Sequence, residues 1–412
     1  MKKIKNLVVV CDYAYIEGGA TSVAIQTALS MVDRIENVYY FSAVGPVCKE
    51  LVNSDVYVIC LNQNDINTEP NRLKAAIYGI WNRNSYRKFE YLLNKLEKDE
   101  TIVHVHSWTK ALSASVLSCA LKKNFRVVLT LHDYFTVCPN GGLYNYKSKK
   151  SCELSPMSLK CIFCNCDKRS YIQKIWRVLR QAVIKEVLDD NCRIEYIYIS
   201  EFSYKIINRY LKGKYYFIRD PYDLGDSVIY NPSNGRDYIY LGRISEEKGI
   251  DLFCKAFSEL LKEKKILGKA LVIGDGELKQ SLERLYPEIT FVGWQEHNKL
   301  YKYMSNARAL VFPSRWYETA GLTPIEVMSH GIPCIISDNC AAQDYVVDGL
   351  NGLLFLNENI DDLKSKILSL EDNDKMMYLY NNIKKYDFND FCLETYKNKL
   401  WELYLYTILE RI

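Results

Sequence analysis

Short apolar runs, each the length of one strand and each followed by a turn or helix signal, recur along most of the chain. Residues 7–11, 38–42, 56–61, 102–106, 126–131 and 194–200 make a first series; residues 238–241, 270–273, 290–292, 309–312 and 334–337 make a second. Several runs are continuously hydrophobic, the pattern of strands covered on both faces, and helical segments separate most of them. The expected fold is therefore α/β, with two doubly wound, Rossmann-like parallel sheets. A length of 412 residues is comfortable for two domains. The turn-rich stretch from Arg219 to Gly235 marks the linker, which sets the expected boundaries at 1–218 and 219–386.

The stretch from Phe312 to Pro333 holds the most chemistry. A strand end runs into a loop carrying Glu318 and then Gly321, and a short helix follows. Thr323 reads as its cap, Pro324 fits the first turn, Glu326 closes a capping box, and Gly331 and Pro333 end it. Such a helix start, around Leu322 and Thr323, offers unpaired N–H groups and a positive dipole end to an anion. Glu318 and Glu326 also read as a solvated loop carboxylate and half of a capping box. Upstream, a strand runs into Gly242-Arg243, and Lys248-Gly249 precedes a helix. An arginine fork and a lysine point charge at a strand's carboxyl end suit a diphosphate.

Arg243, Lys248 and the pair Glu318 and Glu326 resemble the donor site of the retaining GT-B glycosyltransferases of the family-four type. Residues 271–278, 291–294 and 348–355, the loop Glu17-Gly18-Gly19-Ala20, His104-Val105-His106 and residues 199–203 extend the likeness over nearly the whole chain. The resemblance implies a GT-B architecture and a nucleoside-diphosphate sugar, UDP- or GDP-linked, as co-substrate, with no further cofactor and no catalytic metal. Its acceptor would be a hydroxyl of a glycan or lipid-linked molecule in surface polysaccharide synthesis. Arg243, Lys248, Gly18, Gly19, Gly321, Leu322, Thr323 and Glu326 would bind the donor. His106 and Glu318 would contact its sugar, and a helix within 387–412 would pack back on the first domain. The same architecture serves sugar-nucleotide epimerases and glycosyl phosphorylases, and a non-enzymatic nucleotide-sugar-binding scaffold is the remaining alternative.

Other features narrow the field. Gly274-Asp275-Gly276 lacks the third glycine of a dinucleotide fingerprint, because Lys279 stands there, which argues against a nicotinamide dehydrogenase. A net charge of +4 gives no reason to expect nucleic acid as a partner. No run approaches the ~20 apolar residues of a membrane span, and residues 7–11 read as a first strand instead of a signal peptide. A cytoplasmic location is expected, and with it 14 cysteines that are thiols or metal ligands. Cys138, Cys152, Cys161 and Cys164 read either as a structural zinc site or as free thiols. Ile172, Ile175, Trp176, Leu179 and Val183 share one face of a basic helix. That face either packs on the sheet or lies on the inner face of a membrane as a peripheral contact.

Overall fold

The computed structural model of the protein describes residues 4–189, 193–224, 229–232 and 234–409. Two parallel sheets carry the chain. The first contains β1 (Asn6–Tyr13), β2 (Asn37–Val44), β3 (Tyr57–Cys60), β4 (Thr101–Val105) and β5 (Arg126–Leu131). A small antiparallel ribbon, β6 (Tyr144–Asn145) and β7 (Lys150–Ser151), interrupts it before β8 (Ile194–Tyr198) and β9 (Lys214–Phe217). The second sheet contains β10 (Asp237–Leu241), β11 (Ala270–Ile273), β12 (Thr290–Gly293), β13 (Ala307–Phe312), β14 (Cys334–Ser337) and β15 (Gly352–Phe355). Strand order is β3-β2-β1-β4-β5-β8-β9 in one sheet and β12-β11-β10-β13-β14-β15 in the other. Each is the doubly wound order, running outward in both directions from its first strand.

Burial explains why the apolar runs became strands. Every residue of β1 is buried. Val8 and Val10 enter one core while Leu7, Val9 and Cys11 enter a second core on the opposite face. The second sheet repeats the device, with Tyr238 and Tyr240 on one side and Ile239 on the other. Besides the short ribbon, two strands of the parallel sheets escaped the sequence reading. Edge strand β9 keeps much of its surface exposed, and β15 is only four residues long. Within the linker, residues 225–228 and 233 lie outside the described residues.

The chain then returns to its beginning. Helix Leu393–Leu409 places Tyr396, Leu400, Leu403, Tyr404 and Ile408 in the core beneath β1, at the 3–4 residue spacing of one helical face. The last residues of the expected C-terminal segment, 410–412, lie outside the described ones. Two buried hydroxyls fix the register: Tyr396 with Thr27 Oγ1 at 2.6 Å, and Tyr404 with His104 Nδ1 at 2.5 Å. His104 Nε2 meets Thr130 Oγ1 at 2.8 Å, so the first histidine is a satisfied core residue. Tyr404→Phe should leave a buried ring nitrogen unpaired and cost about 1–3 kcal/mol in denaturant unfolding. A loss indistinguishable from zero would show that the helix docks through apolar contact alone.

Candidate functional site

In each sheet the connections diverge on either side of the first strand, which opens a crevice beyond the carboxyl ends of β1 and β4, and of β10 and β13. The sequence-predicted residues leave these four strands: Gly18 and Gly19 after β1, His106 after β4, Gly242 and Arg243 after β10, and Glu318 after β13. A cavity of about 330 Å³ lies where the two crevices meet. Gly19, His132 and Asp220 line it from one side, and Lys248, Glu318 and Thr323 from the other. Hydrogen bonds close its rim. Ser200 Oγ donates to Thr319 O at 2.7 Å, and Thr319 Oγ1 donates to His132 O at 2.8 Å.

Lys248 and Glu318 form the centre, with Nζ and Oε2 2.5 Å apart. Trp316 Nε1 donates to the same oxygen at 2.8 Å and Ser314 Oγ at 3.3 Å, while the ammonium sits over the Trp316 ring. Two devices bring these loops together. Gly249 has φ 67°, and a side chain there would place Cβ 1.9 Å from Pro313 O, so glycine alone allows the loops to cross. Arg315 then clamps the crossing with a two-pronged bond to Asp251, Nη1 to Oδ1 at 2.6 Å and Nη2 to Oδ2 at 2.7 Å. Its backbone N–H also donates to Glu247 O at 2.9 Å.

Helix Leu322–Ser329 begins beside this pair. Thr323 is not its cap. Gly321 takes that position at φ 66°, and its carbonyl accepts the Tyr345 hydroxyl. Thr323 is the second helical residue, so the N–H groups of Leu322 and Thr323 lie in the first turn, where no intrahelical acceptor exists. Glu326 is accordingly not part of a capping box. It is largely buried on the helix and hydrogen-bonded to Tyr222 of the linker; burial and this carboxylate together push the Tyr222 phenol up. On the opposite wall, Thr21 Oγ1 accepts from the N–H groups of Glu17 and Gly18 at 2.8 and 3.0 Å, which orders the glycine loop. Gly19 lines the cavity, and a Cβ at either glycine would meet open space.

His132, not His106, forms the wall. His106 lies one layer behind, its Nδ1 3.0 Å from His132 Nε2, and His132 Nδ1 is 3.3 Å from Asp220 Oδ2. His106 Nε2 is buried with no hydrogen-bond partner among the described residues. Sequence reading missed Asp220 and Arg315, whose partners are distant along the chain and follow no local spacing.

Arg243 is exposed and lines an adjoining cavity of about 340 Å³ with Gly274, Asp275, Trp294 and Gln295; Leu241 and Gly242 form the wall shared by the two cavities. Among the described residues no three His, Cys, Asp or Glu side chains are placed to hold a metal. The buried Lys174 ammonium sits among the thiols instead, 3.8 Å from Cys161 Sγ. Burial pushes the Cys166 thiol up to about 11.

Residues 228–387 match the family model for glycosyl transferases group 1. An uncharacterized glycosyltransferase of Methanocaldococcus jannaschii is 29% identical over 36% of this chain, which spans 42% of that relative's length. An Escherichia coli UDP-Gal:alpha-D-GlcNAc-diphosphoundecaprenol alpha-1,3-galactosyltransferase is 24% identical, over 78% of this chain and 79% of its own. Among solved structures, Anabaena HepE in complex with UDP and glucose superposes with a TM-score of 0.67, covering 97% of this chain and 99% of its own at 14% identity. The fold is GT-B.

The buried histidines set a pH dependence. Burial, followed by the neighbouring His132, lowers His104 to about 3, and burial lowers His106 well below its usual value. The unfolded chain protonates both near 6.5, so it binds more protons than the folded one as pH falls. Their contribution is fully present above pH ~6.5 and is lost progressively below it. Urea unfolding at pH 7.5 and 5 should show lower stability at 5, and His104→Gln should shrink that difference. An equal difference in the variant would contradict the assignment.

Proposed function

We propose that the protein is a retaining glycosyltransferase that moves a sugar from a nucleoside diphosphate to a hydroxyl of a glycan or lipid-linked acceptor in polysaccharide synthesis. The observation that carries this reading is the convergence of Lys248, Glu318 and the first turn of helix Leu322–Ser329 on one cavity between two sheets. The group 1 family match over the second sheet, the sugar-nucleotide activity printed for the Escherichia coli relative, and the UDP bound in HepE support it.

The chemistry follows from charge. As the glycosidic bond breaks, the departing diphosphate gains negative charge. Lys248 and the N–H groups of Leu322 and Thr323 are already aimed at it, so little reorganisation is required, and one such donor is worth roughly 3–4 kcal/mol of barrier in comparable sites. Glu318 keeps Oε2 in its bonds to Lys248, Trp316 and Ser314. Oε1 takes a sugar hydroxyl and faces the positive charge that develops at the anomeric carbon. His132 and the glycine loop close the opposite side. Glu326 holds the ribose, and the adjoining cavity, with Trp294 and Arg243, takes the base and outer phosphate. The acceptor hydroxyl attacks from the face the diphosphate leaves, its proton passing to an oxygen of the departing phosphate, which retains configuration. Closure of the two halves excludes water and limits hydrolysis. Uridine and guanosine donors both fit this account, and the site works at the cytoplasmic side, where nucleotide sugars and lipid-linked acceptors meet.

Lys248→Ala and Glu318→Ala should fold normally and lose at least about a hundredfold in turnover. Screening nucleotide sugars by thermal shift, then assaying transfer and hydrolysis, tests this. Near wild-type activity in either variant would remove the assignment. Acceptor-free release of an altered sugar would indicate an epimerase, phosphate dependence a phosphorylase, and donor binding without turnover a scaffold.

A further inference from the structure

Helix Tyr171–Asp189 buries Lys174, Arg180 and Gln181 together with Ile184 and Leu188, whereas Ile172, Ile175 and Leu179, at the spacing of a single face in its first half, point outward. Arg180 is held inside by carbonyls, Nη2 donating to Pro139 O at 3.2 Å, and by the rings of Phe135 and Trp176. Of the two readings of this face, packing on the sheet does not hold for these three residues. Ile172 is 79% exposed, and on the neighbouring helix Arg72–Ile80, Leu73 is 72% and Ile77 54% exposed. A stripe of this kind is more than the scattered apolar residues of an ordinary surface.

The two helices are locked together and enclose a pocket. Trp176 Nε1 donates to Ala76 O at 2.9 Å, and a Cβ at Gly79 would sit 2.5 Å from the Trp176 ring. A cavity of about 270 Å³ lies beside the indole, with Arg72, Arg169 and Arg177 around it. Arg177 is paired with Asp167, but among the described residues no carboxylate forms an ion pair with Arg72 or Arg169. An apolar ridge next to two uncompensated guanidinium groups matches a phosphate carried on a hydrocarbon chain. Two contacts link the pocket wall to the glycine loop. Ile66 of its wall donates from its backbone N–H to Lys110 O at 2.9 Å, and Lys110 pairs with Glu17 of the glycine loop at 3.3 Å.

Resting on the glycosyltransferase reading above, we propose that this pocket binds the phosphate or diphosphate of a lipid-linked acceptor. Arg72 and Arg169 hold the anion, the Ile172 face holds the chain, and the acceptor sugar reaches past Glu17 into the crevice.

Farnesyl diphosphate is a suitable probe, measured by calorimetry on the full chain. The wild type should bind it well and inorganic pyrophosphate much more weakly. The double variant Arg72→Gln/Arg169→Gln should bind farnesyl diphosphate about tenfold more weakly. Ile172→Ser should also weaken it. All these side chains are exposed, so the variants should fold, and their nucleoside-diphosphate binding should be unchanged. Unchanged farnesyl diphosphate affinity in the variants would overturn the proposal. So would variants that lose flotation with phosphatidylcholine vesicles containing phosphatidylglycerol while the wild type ignores farnesyl diphosphate, because the surface would then be a general membrane contact. Failure of the donor reading shows separately, as a wild type that binds the lipid diphosphate but no nucleoside diphosphate.

Discussion

The site depends on the crossing of two loops at Gly249 and Pro313. Only a residue without Cβ lets the backbones approach that closely. Once they do, Lys248 and Glu318 fall 2.5 Å apart, each partly shielded from solvent. Arg315 holds the geometry from behind by binding Asp251 with both prongs. The pair is thus preorganised by covalent geometry and a charge-assisted clamp, so its arrangement owes little to its own modest Coulomb energy.

Around that crossing, the fold supplies direction. Both sheets diverge from their first strands, and both open carboxyl ends face one cavity. The C-terminal helix, tied through Tyr396 and Tyr404, belongs to the core of the first sheet although it follows the second in sequence. The chain therefore spans the crevice twice, once through the linker and once on return. Such a link permits the halves to move as bodies without separating.

Much of this was legible in the sequence because burial on both faces leaves a simple trace. Continuous apolar runs marked most strands of both sheets, and strand–glycine–cation order marked the loop of Lys248. What failed to show depended on tertiary context. Edge strand β9 is half solvated and so lacks a buried pattern. The cap of helix Leu322–Ser329 fell to Gly321 because Tyr345 fixes the Gly321 carbonyl from a distant segment. Helix Tyr171–Asp189 buries Arg180 because carbonyls and aromatic rings brought in by other loops satisfy it, and Lys174 lies among the cysteines that read either as zinc ligands or as free thiols. Asp220 and His132 meet only after folding. In each case a local pattern was overridden by partners far along the chain.

The central claim is that a diphosphate sits between the Lys248 ammonium and the first turn of helix Leu322–Ser329. A crystal structure with a bound nucleoside diphosphate tests it directly. The account predicts phosphate density within hydrogen-bonding distance of Lys248 Nζ and the Leu322 and Thr323 N–H groups. Density elsewhere on the molecule, with this cavity unchanged, would contradict it.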